Sequence, residues 1–378
     1  MAHGRTRIVA GCMTGTSLDG LDVALVKIVG TGPEMRAELL GHRAVSFADG
    51  LRGTLRSIAS GEANEPLVFM RAARALGEMH ADALRDLFAD GLIPTSTTVD
   101  FVAAHGQTIW HAPGSKDNNG AGMSWQLFDP WPIVRRLDVP VCYDLRQTDL
   151  IAGGEGAPLT PIADWVMYRK DADWVVNLGG VMNLTELSDE LALIRGGDHG
   201  VCNLLLDGLC RGLTGQRYDE DGRLADGGRV LPEVLADLHA SAESVSRQGS
   251  LGREQYSDDW LKALVSRLQP LGQPADVLRS ACHWVACSLQ EAIGPPRGDW
   301  PCAVLAGGGA RNLTLMREIE EVCFLKAVRC DDLGIPCEAR EAMAWAVLGA
   351  LSHDGVPISL PRVTGATDPG VAGVWAGI

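Results

Sequence analysis

Arg7-Ile-Val-Ala-Gly-Cys-Met-Thr-Gly-Thr-Ser-Leu-Asp-Gly-Leu-Asp-Val-Ala-Leu-Val-Lys-Ile-Val29 is the stretch whose reading decides the fold. Arg7 to Cys12 reads as a buried strand, Met13 to Gly20 as a turn rich in glycine and hydroxyls, and Leu21 to Val29 as a second strand. A strand, a polar glycine loop and another strand make a hairpin with an enlarged tip, which differs from a strand-to-helix phosphate loop. A third strand is expected over Ala37 to Phe47.

The pattern returns in the second half of the chain. Trp174 to Leu178 reads as a strand, Gly179 to Asn183 as a glycine turn, Leu184 to Leu187 as a continuing strand, and Leu191 to Arg195 as a third strand ending at Gly196-Gly-Asp198. Two such units in one chain predict two similar domains facing a cleft. Gly153-Gly-Glu-Gly-Ala-Pro158 is the strongest break in the middle of the chain and the expected boundary. Domain I is therefore expected to span 1–155 plus about 355–378, and domain II 156–354.

Other elements follow from periodicity. Asn64 can cap a helix with Pro66 in its first turn, and apolar residues from Phe69 to Leu87 continue it at helical spacing until about Gly91. Val99 to Ala104 and Val139 to Tyr143 read as short buried strands. A loop rich in Gly and Asn covers Gly114 to Gly122. Cys302 to Ala306 reads as a strand entering Gly307-Gly-Gly-Ala-Arg-Asn312, and Glu338 to Leu351 as a helix.

Composition excludes several classes. Lys plus Arg is 33 against 48 for Asp plus Glu, giving a net charge of −15 with no basic stripe, which disfavours a nucleic-acid binder and fits a small-molecule ligand. Forty-five glycines against 4 tyrosines and 6 phenylalanines place the emphasis on special backbone shapes, which matter most where backbone must approach a ligand. There is no apolar run of membrane-spanning length and no secretory signal, so no membrane partner is expected. The ten cysteines form no Cys-x-x-Cys pair and sit on apolar stretches, which reads as reduced core thiols in a cytoplasmic protein. There is no Walker-type loop, no Gly-x-Ser-x-Gly elbow and no protein-kinase signature.

Several segments could carry chemistry. Gly15 to Asp22 offers exposed backbone N–H groups to phosphate oxygens, and Thr14, Thr16 and Ser17 add hydroxyl donors. Asp19 and Asp22 could hold Mg²⁺ through water. An ordinary polar hairpin tip explains the same residues. Gly179, Gly180 and Asn183 form the matching turn. Gly307, Gly308 and Gly309 leave room for a ribose or ring over the backbone. Asp198 falls where cleft residues lie in open α/β sheets, although surface Asp residues in turns are common. Glu341 could serve a site or simply favour a helix dipole. His105 and His111 could suggest a metal pair, but no third ligand is apparent, and polar contacts to a substrate are the alternative.

Taken together, the chain resembles the anhydro-N-acetylmuramic acid kinase family of the actin, sugar kinase and Hsp70 superfamily. The matching segments, in the family's order, are Met13 to Asp22, His105-Gly-Gln-Thr-Ile-Trp-His111, Asp144-Leu-Arg146 with Gly153 to Pro158, Asn177-Leu-Gly-Gly-Val-Met-Asn183, Tyr218-Asp-Glu-Asp-Gly222, Gly252-Arg-Glu254, Leu305 to Asn312 and Val363-Thr-Gly-Ala366. The resemblance implies an α/β fold of two ribonuclease-H-like domains, each a mixed five-stranded sheet flanked by helices, with ATP and sugar in the interdomain cleft. It implies that ATP and water convert 1,6-anhydro-N-acetylmuramic acid to N-acetylmuramic acid 6-phosphate and ADP, in peptidoglycan recycling, with Mg²⁺ as cofactor and a homodimer as the assembly. By resemblance, Asp198 is the base that activates water and Glu341 supports the sugar or water site. Gly15, Thr16, Ser17, Leu18, Asp19, Gly20, Leu21 and Asp22 form the first phosphate loop. Gly179, Gly180 and Asn183 belong to the second. Gly307, Gly308, Gly309 and Asn312 sit by adenosine, and His105, Gln107, Thr108, Arg146 and Asp149 contact the sugar.

The departures cluster near the chemistry. The family's Asp-Thr-Gly-Pro-Gly-Asn stands here as Asp198-His-Gly-Val-Cys-Asn203. Glu155 replaces an expected Gln, and the family's Pro-Lys-Ser-Thr-Gly-Arg-Glu is Gln248-Gly-Ser-Leu-Gly-Arg-Glu254, without the lysine. These changes keep two alternatives in view: a related kinase for another anhydrosugar or sugar, and a weakly catalytic nucleotide-binding homologue.

Overall fold

Apolar residues on both faces bring β1 (Thr6–Thr14) and β2 (Gly20–Val29) together as an antiparallel pair, in register from Thr6 opposite Val29 to Thr14 opposite Leu21. The structure is a computed structural model and describes residues 5–62, 64–92, 98–114, 122–243, 256–295 and 301–377. The Gly252 to Glu254 and Gln248 segments and most of the Gly114 to Gly122 loop lie outside the described residues. The remaining strands are β3 (Arg36–Ser46), β4 (Phe101–Ala104), β5 (Gln107–Ala112), β6 (Met123–Leu127), β7 (Val141–Tyr143), β8 (Trp174–Leu178), β9 (Val181–Glu186), β10 (Arg195–Val201), β11 (Cys302–Ala306), β12 (Lys326–Arg329) and β13 (Val374–Ala376).

The first sheet runs β13-β7-β4-β1-β2-β3 and the second β10-β9-β8-β11-β12. In each, three strands form an antiparallel meander and the first of them continues into two parallel strands. The two sheets therefore share one order, third-second-first-fourth-fifth, which is the repeated α/β arrangement that the sequence implies. One detail differs. The first sheet has six strands, because β13 adds antiparallel to β7. A three-residue strand near the chain end has too little periodicity to be seen in sequence. A separate ribbon pairs β5 with β6.

The chain divides into two compact units. The first comprises 1–167, 189–194 and 334–378, and the second 168–188 and 195–333. The sequence reading put the first boundary at 155 and the return near 355. The reason for the later crossing is a buried ion pair in the first unit, from Arg340 to Asp164 on the helix Thr160–Tyr168. The earlier return follows from the helix Arg340–His353. Its side chains from Ala342 to Ser352 are all buried, and it packs on β1, β2 and β4. Gly11 permits this approach, because a Cβ there would lie 1.8 Å from the Ala342 carbonyl oxygen. The core of the first sheet includes Ala10, Cys12, Val23, Leu25, Leu76, Leu84, Val102 and Val141.

Two local expectations are corrected. The helix Pro66–Ala89 is capped at Glu65, with no side-chain cap, while the Asn64 amide turns back to Ser57 Oγ and the Glu62 carbonyl. Leu191–Leu193 is a 3₁₀ turn, and the third strand of the second unit is Arg195–Val201. Pairing of Arg195 with Glu186 carries the glycines into the sheet. They weaken a strand's local signal without preventing it from pairing. Among the described residues, no helix is long and apolar enough to cross a membrane.

Candidate active site

In the first unit, the β1–β2 connection exposes Thr16, Ser17 and Asp19, while Leu18 turns inward at φ 58°. The Leu18 N–H donates to the Gly15 carbonyl at 3.3 Å and the Phe47 N–H to the Asp19 carbonyl at 3.0 Å. The base of the loop is braced by the segment after β4. Thr14 Oγ1 donates to the Gly106 carbonyl at 2.5 Å, and Gln107 Nε2 donates to the Gly15 carbonyl at 3.1 Å. Gln107 is fully buried.

Asp22 lies half-buried at the start of β2. Burial first, and then the negative charge of Glu341, push its carboxyl up to about 6. Two carboxylates in one neighbourhood disfavour each other's ionised form.

Arg146 organises the rest of this half. Its Nε and Nη2 donate to His105 Nε2 at 3.1 and 2.9 Å, and its Nη1 donates to the Gly156 carbonyl at 2.7 Å. The guanidinium also lies 5.8 Å from the Trp345 ring centroid. Burial lowers Arg146 to about 10, against the opposing charges of Glu341 and Asp149, so it remains a cation. Burial and then the Arg146 charge hold His105 well below its usual pKa. A neutral His105 that accepts at Nε2 carries its proton on Nδ1.

Asp149 is fully buried. Its Oδ1 accepts from Thr364 Oγ1 at 2.6 Å and its Oδ2 from the Gly156 N–H at 2.7 Å. Both oxygens thus hold the glycine-rich break and the chain near its end. Thr108 Oγ1 accepts from Gln126 at 3.2 Å. His111 Nδ1 faces Ser124 Oγ at 3.1 Å, while His105 faces Arg146, so the two histidines have separate partners.

In the second unit, the register sets Asn177 of β8 opposite Asn183 of β9, and Asn183 opposite Asp198 of β10. Directly opposed residues share a face of the sheet, so the three side chains form one row. The Asn177 amide donates to Asn183 Oδ1 at 3.3 Å, and the Asn183 amide donates to Asp198 Oδ1. The register shifts after Asp198, and the chain leaves the sheet into the helix Asn203–Thr214. The helix start is tied to the glycine turn, with Cys202 N–H to the Gly180 carbonyl and Asn203 N–H to the Gly179 carbonyl, both at 2.9 Å. Cys202 is buried and its thiol pKa is pushed up by burial. His199 is half-buried, with burial lowering its pKa against the opposing charge of Asp198.

Asn177 also lies in register with Ala306 of β11, so Gly307 to Gly309 follow directly from the same row. Gly307 has φ 78°, and the next residues form a 3₁₀ turn, Gly308–Arg311. Asn312 Oδ1 caps the helix Leu313–Cys323 by accepting from the Leu315 N–H at 2.9 Å. Its amide nitrogen faces Cys282 Sγ at 3.8 Å. The Tyr218 to Gly222 segment packs here too, with Thr314 Oγ1 donating to the Gly222 carbonyl at 2.8 Å.

The structure thus gathers Asp22, His105, Gln107, Arg146 and Glu341 in one unit, and Asn183, Asp198 and the glycine turns in the other. It occupies Asp149 and Asn312 with internal bonds. The resemblance places Asn177 in the second phosphate-facing hairpin with no individual role. Its signal was available, since Asn177 and Asn183 lie symmetrically about Gly180 and a tight turn there sets them opposite one another.

A family model described as anhydro-N-acetylmuramic acid kinase matches residues 7–376. The chain is 36% identical to the anhydro-N-acetylmuramic acid kinase of Bordetella pertussis (strain Tohama I), over 98% of this chain and 96% of that one. It is 34% identical to the protein of the same name from Salinibacter ruber, over 97% and 95%. Among solved structures, component A of the Acidaminococcus fermentans (R)-2-hydroxyglutaryl-CoA dehydratase aligns with TM-score 0.47 and 13% identity, covering 91% of this chain and 99% of that chain.

Proposed function

The chain belongs to the anhydro-N-acetylmuramic acid kinase family, and from that premise we propose how its own residues divide the family's reaction. It is an ATP-dependent sugar kinase. Water adds to C1 of the anhydrosugar, the C1–O6 bond of the bridge breaks, and O6 takes the γ-phosphoryl group, giving N-acetylmuramic acid 6-phosphate and ADP.

Asp198 is the base in this proposal. A carboxylate held by a neighbouring amide is oriented to take a proton from water as it attacks C1. The observation that carries this reading is the cross-strand row from Asn177 through Asn183 to Asp198, where β10 breaks register and the chain turns into a helix. Gly15 to Asp22 offers backbone N–H groups and hydroxyls to phosphate, and Gly179 and Gly180 do so in the second unit. Gly307 to Gly309 give adenosine close access to backbone. His105, Gln107, Thr108 and Arg146 are the sugar side. Arg146 supplies a positive charge suited to a substrate carboxylate, and Glu341 supports it.

The residues present fit a divalent cation. The negative charge of Glu341 raises the Asp22 carboxyl, and a cation beside Asp22 would offset that repulsion. Asp19 and Asp22 would hold Mg²⁺ through water. Mg²⁺ supplies neutralisation of phosphate charge during phosphoryl transfer. A homodimer and a cytoplasmic location complete the proposal.

The test is ADP release from Mg·ATP with and without 1,6-anhydro-N-acetylmuramic acid, with the product identified by mass spectrometry. The expected product is heavier than the sugar by one phosphoryl group and one water. Asp198→Asn is expected to abolish turnover while nucleotide binding persists. A wild-type rate in that variant refutes the assignment of the base.

A further inference from the structure

We propose that Asn183, braced by Asn177, is a positioning residue that sets the carboxylate of Asp198 to take the proton of the water that attacks C1. The inference rests on the assignment of Asp198 as base and gives Asn183 a role other than holding phosphate.

The chemistry of the three groups fixes the direction of the chain. A carboxylate oxygen accepts hydrogen bonds, and Asn183 turns its NH₂ toward Asp198 Oδ1. The Asn183 carbonyl then faces β8 and needs a donor, which Asn177 provides with its own NH₂ at 3.3 Å. The Asn177 carbonyl is left toward β11, where the Gly307 backbone lies against it, since a Cβ at Gly307 would stand 2.5 Å from Asn177 Oδ1. In this orientation each amide NH₂ donates to the next group along the row. The row is thus polar and directional, from the triple-glycine turn to the base.

The register explains why two amides are used. Opposed residues in adjacent strands stand about 5 Å apart, and an asparagine side chain spans that gap. A shorter or apolar residue at 183 leaves Asp198 without this donor, on a strand whose register breaks immediately after it. Loss of this contact would shift the carboxylate, and small misplacements of a base cost large factors in rate.

A phosphate-binding role and a positioning role separate in kinetics. Loss of a phosphate contact raises KM for ATP. Loss of a positioning contact lowers kcat and leaves nucleotide affinity alone. The experiment measures kcat, KM for ATP and the Kd of a non-hydrolysable ATP analogue for wild type, Asn183→Ala, Asn183→Asp and Asp198→Asn in the full chain. Asn183→Asp keeps the size of the side chain and replaces the donor by a carboxylate, so it remains informative if the alanine variant fails to fold.

The expected result is a fall in kcat of about 10- to 100-fold in Asn183→Ala, the range for a hydrogen bond to a charged group. A larger fall is expected in Asn183→Asp, with analogue Kd within threefold of wild type in both. A kcat within twofold of wild type in either variant overturns the proposal. So does a tenfold rise in analogue Kd with kcat retained. If Asp198→Asn itself keeps turnover, the assignment of the base fails first. If Asp198→Asn is dead and the Asn183 variants are active, only the positioning role fails.

Discussion

Replacing Gly307 by alanine is expected to lower the stability of the second unit sharply, while the same change at Gly308 is not. Gly307 sits at φ 78° and ψ 175°, a region reserved almost entirely for glycine. An alanine held there costs about 1–3 kcal/mol in backbone strain. Its Cβ would also stand 2.5 Å from Asn177 Oδ1 and 2.8 Å from the Leu178 carbonyl carbon and oxygen. Leu178 ends a strand hydrogen-bonded on both sides, so its backbone cannot withdraw freely, and overpacking adds about 1–3 kcal/mol. The two terms sum to about 2–6 kcal/mol, or roughly 4–24 °C in melting temperature for a unit of this size. At Gly308 an added Cβ meets only Asn203 Nδ2, at 3.3 Å, and the residue is exposed. Its cost should stay within about 1 kcal/mol. Thermal unfolding of the two variants beside wild type measures the difference, and ADP release measures its consequence. Gly307→Ala also pushes on Asn177 and through it on Asp198, so it should lose kcat. Gly308→Ala should act on KM for ATP if adenosine lies over that backbone. A Gly307→Ala protein melting within about 2 °C of wild type refutes the reasoning, as does a Gly308→Ala protein that falls equally far.

Two further predictions concern the first unit. Arg7 is fully buried and donates to both oxygens of Asp354, at 2.6 and 2.9 Å, and the Gly32 N–H adds a third bond at 2.8 Å. Asp354→Ala leaves that guanidinium buried without its counter-ion, at a cost of about 3–5 kcal/mol. Urea unfolding should show it, and an Arg7→Met, Asp354→Leu double variant should recover at least half; no recovery would locate the loss elsewhere. His80 is buried, with its Nδ1 2.7 Å from the Leu76 carbonyl, and burial lowers its pKa to about 4. Below the unfolded pKa of about 6.5 the unfolded chain binds the proton and the folded one does not, so stability falls as pH drops from 6.5 toward 4, by about 1.4 kcal/mol per pH unit. His80→Leu should flatten that part of the curve, and identical slopes for variant and wild type would refute the attribution.

The sequence by itself determined the local parts of this protein. The apolar runs and glycine turns of Arg7 to Val29 and Trp174 to Leu187 give the two hairpins, because strand propensity and a tight turn are encoded in adjacent residues. The same stretches carry the motifs that place the chain in its family. Tertiary structure decided what those residues face. It put Gly196 and Gly197 inside a strand, because pairing with β9 outweighs their weak propensity, and so placed Asp198 within the sheet before a break in register. It enclosed the helix Arg340–His353 in the first unit through the approach at Gly11. It tied Asp149 to Thr364 and Gly156, 215 residues from one and 7 from the other in sequence. Short-range periodicity records which residues form strands and helices. It holds no record of which distant donor will satisfy a buried carboxylate, since that partner is fixed only when the strands have paired.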